Sequence, residues 1–86
     1  MINRKSTLID IFTELSVLEG HQFKSRAYAK AAKILQIICE SDFESRTSFT
    51  DLEGIGTSIN NKILEYKATG KVKKLDELRN ESKDFL

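Results

Sequence analysis

Two glycines one residue apart, in Leu52-Glu53-Gly54-Ile55-Gly56-Thr57, constrain what this chain can fold into more than any other stretch. Glycine takes φ > 0 without steric cost and leaves its amide uncovered, so a G-x-G at a helix start reads as a tight hairpin presenting bare N–H groups to an anion. A helix does follow in the pattern. Ile59, Ile63 and Tyr66 recur at i, i+4 and i+7, Ile55 offers an apolar plug beneath the turn, and Gly70 stands where a helix-ending glycine belongs. The candidate contacts to a phosphate backbone are Gly54, Ile55, Gly56, Thr57 and Ser58, with phosphate as the expected anion. Short glycine turns also join helices that bind nothing, so the neighbouring residues must carry the distinction.

Upstream, Ser48-Phe49-Thr50-Asp51 has the form of a capping box and predicts a one-turn helix leading into the hairpin. Helix, G-x-G turn, helix is the form of a helix-hairpin-helix. Before it, Ser6 or Thr7 caps a first helix whose stripe is Leu8, Ile11, Phe12, Leu15 and Leu18, ended by Gly20, with Asp10 and Glu14 on the solvated side. A second helix is expected from Phe23 or Lys24 to Cys39, alanine-rich and free of breakers. Glu40 to Thr47 has no period and reads as an acidic loop, and a short last helix uses Val72, Leu75 and Leu78. No strand pattern or repeat occurs. The expectation is an all-α fold, a small bundle of four to five short helices, forming one domain over residues 6–79 with flexible ends at 1–5 and 80–86.

At 86 residues the chain is sized for one compact domain, and no apolar run approaches the roughly 20 residues of a membrane span. With no secretory leader pattern, an intracellular monomer with no membrane partner is expected. Cys39 is alone, so there is no disulfide framework, and it reads as a small buried hydrophobe. His21 is also alone and belongs to a loop, which leaves no Cys/His metal cluster. Net charge is only +1, yet the charges are segregated. Arg4, Lys5, Lys24, Arg26, Lys30 and Lys33 precede an acidic middle (Glu40, Asp42, Glu44, Asp51, Glu53), and Lys62, Lys67, Lys71, Lys73, Lys74 and Arg79 follow it. One basic side can thus serve a phosphate backbone while the acidic segment points away from it.

On the second helix Lys24, Ala27, Tyr28, Ala31 and Leu35 share one side, and Arg26, Lys30 and Lys33 cluster opposite as a solvated face. Lys24 and Tyr28, at i and i+4 near the helix N-terminus, can converge on one phosphate.

Three segments in this order carry a family likeness: Phe23-Lys24-Ser25-Arg26-Ala27-Tyr28-Ala29-Lys30-Ala31-Ala32, the hairpin LEGIGTSI, and KILEYKATGKVKKL from Lys62 to Leu75. From about Leu8 to Arg79 the chain resembles the N-terminal domain of family X DNA polymerases, the beta-type gap-filling repair polymerases. The resemblance implies a helical domain that binds the 5′-phosphate side of gapped or nicked DNA and, in many members, removes a 5′-deoxyribose phosphate in base-excision repair. It puts the Schiff-base lysine on Lys62, the 5′-phosphate contacts on Lys24 and Tyr28, and a further basic position on Lys74. It also implies a monovalent cation, Na+ or K+, held by the backbone carbonyls of Thr50, Leu52 and Ile55. The lyase chemistry itself takes no cofactor. A polymerase domain in the same parent chain is the implied partner. The sequence departs from the family at Glu53, where a proline is common, at Ser58, a lysine in lyase-active members, at Asn61, an acid, and at Phe23, a histidine.

An ordinary lysine, with pKa about 10.4, is neutral in roughly one molecule in 2,500 at pH 7, and only the neutral amine attacks an aldehyde. Partial burial and nearby cations lower that pKa, and Lys24 and Lys74 are the candidates if the bundle brings them close to Lys62. The proton-abstracting base is left between water and Glu65 on the next turn. Nucleotidyl transfer needs a carboxylate set for two metal ions, which this stretch lacks, so no polymerase activity is expected of it alone. Two other readings stand beside a lyase: a non-catalytic DNA-binding module in which Lys62 only contacts phosphate, and a protein-interaction bundle on the same scaffold.

Overall fold

Leu8, Phe12 and Leu15, at i, i+4 and i+7, are fully buried on one face of α1 (Arg4–Leu18). The structure, a computed structural model, describes residues 4–83. Four more helices follow in them: α2 (Gln22–Ile37), α3 (Glu40–Ser45), α4 (Thr57–Thr69) and α5 (Lys73–Lys83). No strand occurs among the described residues, so the fold is all-α as expected.

Only Glu19 to His21 separate α1 from α2, which turns the chain back so that the two helices pack along one another. The small side chains of Ala31 and Ala32 let them approach. Phe12 stacks on Tyr28 with ring centroids 6.1 Å apart, and the Ser25 hydroxyl donates to the Ser16 carbonyl at 2.6 Å. α5 lies against α1, and α4 against α2. Val72, Leu75 and Leu78 are the apolar edge of the last turn and helix, as their spacing predicts. The shortest dimension of the molecule is 17 Å, less than two helix diameters of about 10–12 Å, so the helices keep a solvent face.

Several expectations are corrected. Residues 40–45, read as a loop, form α3. Six residues are too few to show a 3.6 period. What holds this helix is tertiary: Phe43 is fully buried and Lys67 reaches its C-terminal carbonyls. Conversely, Ser48 to Asp51 forms no helix. Its capping box is broken because Arg46 takes the Asp51 carboxylate at 2.8 and 2.9 Å, leaving a single turn closed by the Leu52 amide on the Phe49 carbonyl. Ser6 and Thr7 lie inside α1 and are not its cap. Of the ends taken as flexible, Arg4 and Lys5 are helical and so are residues 80–83, while 1–3 and 84–86 lie outside the described residues. Cys39 is exposed, because α2 stops at Ile37 and the chain leaves the core before reaching it. Glu14 is not simply solvated either, since it accepts two hydrogen bonds from Arg79 of α5.

Three cations act as staples on helix C-termini, where the last carbonyls lack intrahelical donors. Arg4 donates to the Lys67 carbonyl at 2.6 Å, and Lys5 to that of Ile38 at 2.7 Å. Lys67 donates to the carbonyls of Phe43, Glu44 and Arg46 at 2.8, 3.2 and 2.6 Å, and its ammonium lies over the Phe43 and Phe49 rings. Lys67→Met keeps the aliphatic stem and removes every one of these bonds. It is expected to cost about 2–3 kcal/mol, a fall in Tm on the order of 10–20 °C. Thermal melting checks this, and a Tm within a degree or two of wild type would mean that α3 is held by Phe43 alone.

Candidate nucleic-acid interface

Gly54 sits at φ +96°, a conformation that side-chain-bearing residues rarely adopt. A Cβ there would also meet the Lys30 stem at 2.7 Å and Ile34 Cδ1 at 3.0 Å, so glycine is needed both for the turn and for its seat against α2. Gly56 is different. Its backbone is extended (φ −88°, ψ −179°) with open space where a Cβ would stand, so neither conformation nor packing requires glycine there. Ile55 is buried as a plug between them, held by its amide on the Leu52 carbonyl at 3.0 Å. The approach to the turn is fixed by Asn60, a buried side chain of α4 that accepts the Phe49 amide at 2.8 Å. Gly56 is the N-cap of α4 and supplies no side-chain cap. The amides of Gly56, Thr57 and Ser58 have no partner among the described residues, and those of Thr57 and Ser58 lie at the positive end of the α4 dipole.

One turn further along α4 is Lys62, and here the packing brings separate segments together. Lys24, Ala27 and Tyr28 from α2, Ser58, Ile59 and Lys62 from α4, and Lys74 from α5 line one cavity of about 330 Å³. A second cavity of about 330 Å³ flanks Lys62 on its other side, lined by Ser58, Asn61, Glu65, Lys74 and Glu77. All four side chains expected of a 5′-phosphate and amine site therefore meet, and Ser58 joins them to the hairpin. Tyr28 is almost fully buried; the Lys62 ammonium stands 5.8 Å over its ring and donates to the Ser58 hydroxyl at 3.1 Å.

The electrostatics follow from this crowding. Burial holds the Lys62 amine below the ordinary lysine range, with the Lys74 charge adding to it and Lys24 adding less; Glu65 and Glu19 pull the other way. Burial, with the Glu19 charge behind it, raises the Tyr28 phenol, which stays a hydrogen-bond donor at neutral pH.

Glu65, one candidate for a proton-abstracting base, lines the second cavity and accepts the Lys73 amide at 3.0 Å with one carboxylate oxygen at the start of α5. The group that sequence reasoning missed is Glu19. One carboxylate oxygen accepts the His21 amide at 3.1 Å and the other is buried without a partner among the described residues. The clue was the short link between helices: if α1 and α2 fold back through three residues, the end of α1 must lie beside the start of α2, where Lys24 and Tyr28 are. Among the described residues no cluster of His, Cys, Asp or Glu could hold a metal ion, and no helix is long and apolar enough to cross a membrane.

A protein-family model described as a helix-hairpin-helix domain matches residues 3–72. No solved structure gives a significant match. The matched span contains α1 to α4 and the glycine turn, that is, every segment of the site except Lys74. With the open-ended α4 behind its Gly54–Gly56 turn, the match settles the family: the chain belongs to the helix-hairpin-helix domain family, which points to nucleic-acid binding.

Proposed function

We propose that this domain binds gapped or nicked DNA at the 5′-phosphate side of the break and uses Lys62 to remove a 5′-deoxyribose phosphate, as part of a polymerase of family X. The observation that carries the reading is the meeting of Lys24, Tyr28 and Lys74 around an amine whose pKa their charge and packing lower. A structural lysine on a solvated helix would need none of this.

In the proposed reaction the sugar's 5′-phosphate is held by Lys24 and the Tyr28 hydroxyl, which brings the ring-opened aldehyde to Lys62 Nζ. Attack at C1′ and loss of water give an imine, which acidifies the C2′ proton. Removal of that proton lets the C3′–O bond break, and the DNA strand leaves carrying its own 5′-phosphate. Water then hydrolyses the imine and restores the amine. The C2′ proton passes to water or to Glu65, whose carboxylate lines the cavity beside Lys62. At the turn, the carbonyl of Leu52 already accepts the Ile55 amide but keeps a second lone pair. Together with the carbonyls of Thr50 and Ile55 it offers hard oxygen donors of the kind an alkali cation takes, and the proposed Na+ or K+ would sit there.

The binding half of the proposal has a direct test. Affinity for gapped DNA is expected to be independent of sequence, because amides and ammonium groups meet phosphate and no side-chain set is arranged to read base edges. It should fall with salt and rise when the downstream strand carries a 5′-phosphate. Titration of paired substrates at two or more salt concentrations decides it. Equal affinity with and without the phosphate would refute the assignment of Lys24 and Tyr28.

A further inference from the structure

Some Lys and Arg side chains of this molecule are tied into the fold and others are not. Arg4, Lys5, Arg46, Lys62, Lys67 and Arg79 make hydrogen bonds or ion pairs inside the fold. The side chains of Arg26, Lys30 and Lys33 make none among the described residues, and all three are exposed on the outer face of α2. That helix contains no acidic residue, whereas a merely solvated helix face usually interleaves opposite charges one turn apart. Between the three cations Ala29 leaves a shallow groove of about 450 Å³.

The ridge is also placed. The Lys30 stem lies against Gly54, so the basic face adjoins the glycine turn on one flank of α2, while Lys24 and Tyr28 face the Lys62 cavity on the other. At 1.5 Å per residue, Arg26 to Lys33 covers about 10 Å, the rise along a duplex axis of about three phosphates of one strand at 3.4 Å each. A helix of about 10–12 Å diameter stands between the ridge and the 5′-phosphate cavity. One strand end cannot fill both.

We infer that the outer face of α2 holds the phosphate backbone of the second, continuous strand of a gapped duplex, so that α2 is gripped between the two strands. The inference rests on the DNA-binding reading above and adds a contact that the 5′-phosphate site does not need. Charge selects the occupant: three uncompensated cations with a small-residue groove between them complement a polyanion.

The test compares wild type with the triple variant Arg26→Gln, Lys30→Met, Lys33→Gln, in which methionine keeps the stem that seats Gly54. A double variant, Arg26→Gln with Lys33→Gln, leaves Lys30 untouched should the triple melt early. Two probes are titrated across salt: a gapped duplex with a 5′-phosphate, and the 5′-phosphorylated strand alone. For the gapped duplex, affinity is expected to drop about tenfold or more, and the slope of log affinity against log salt to shrink by about 2–3, or about 2 for the double variant. Affinity for the single strand is expected to stay at the wild-type value. An unchanged slope on the gapped duplex, or an equal loss on both probes, overturns the two-strand grip. If wild type itself binds neither probe, the DNA-binding reading has failed, and that result is separate from the variants.

Discussion

Lys62→Ala is expected to remove nearly all of the covalent protein–DNA adduct that borohydride traps on a 5′-deoxyribose phosphate, a loss on the order of a hundredfold or more, since no other amine is held at the same point. Lys24 and Lys74 line the same cavity and could trap adventitiously, but burial is the first cause of the lowered Lys62 pKa. Binding to a non-reactive 5′-phosphorylated gap should change little, because the phosphate is assigned to Lys24 and Tyr28 and not to Lys62, whose ammonium donates to Ser58. The electrostatics give the experiment a second axis. Neutralising a like charge lets the Lys62 ammonium persist to higher pH, so Lys74→Gln should move the pH profile of trapping upward and lower the rate at neutral pH, by about tenfold for each unit the profile moves. An adduct that survives Lys62→Ala with wild-type yield would place the chemistry elsewhere. A wild-type protein that binds the substrate and gives no adduct leaves a binding module, and Ser58, where lyase-active members of the polymerase family it resembles carry lysine, becomes the first position to exchange.

What the sequence made legible was whatever repeats with a helical period or forces a backbone. The α1 stripe, the buried face of α4, the apolar edge after Gly70 and the glycine turn all follow from spacing alone. Four helices could be placed in this way, and the fifth could not. α3 depends on a lysine 24 residues away along the chain from Phe43, a contact that no local pattern encodes. The capping box at Ser48 failed for the related reason that Arg46 competes for Asp51, and an i, i+5 ion pair across a turn outweighs a local rule. The residues carried over by resemblance converge on one cavity, yet the charge of Glu19 on Lys62 and Tyr28 stayed hidden because it comes from the fold-back of α1 onto α2 and not from its neighbours in sequence. The outward trio on α2 reads as solvated on a helical wheel. Only the seating of Lys30 on Gly54 shows that this face runs into the turn.

The two glycines of the turn should respond in opposite ways, with an effect on the fold as large as that expected of Lys67→Met. Gly54→Ala forces a Cβ onto a residue at φ +96° and into Ile34, and is expected to cost about 2–3 kcal/mol, lowering Tm by roughly 10–20 °C. Lys30 can swing aside because its contact is the far end of a flexible chain, but Ile34 packs against the core and cannot. At Gly56 the conformation is open to any residue and nothing stands in the way, so Gly56→Asp should place a carboxylate on the free amides of α4 and raise stability by about 0.3 kcal/mol. That same carboxylate occupies the place proposed for a DNA phosphate and repels it, so affinity for 5′-phosphorylated gapped DNA should fall at least about tenfold. Stability and binding then move in opposite directions in one variant, which no general loss of fold can imitate. A Gly56→Asp protein that melts as high as wild type and binds DNA equally well would take the α4 amides out of the interface and leave phosphate to the Lys62 cavity and the outer face of α2.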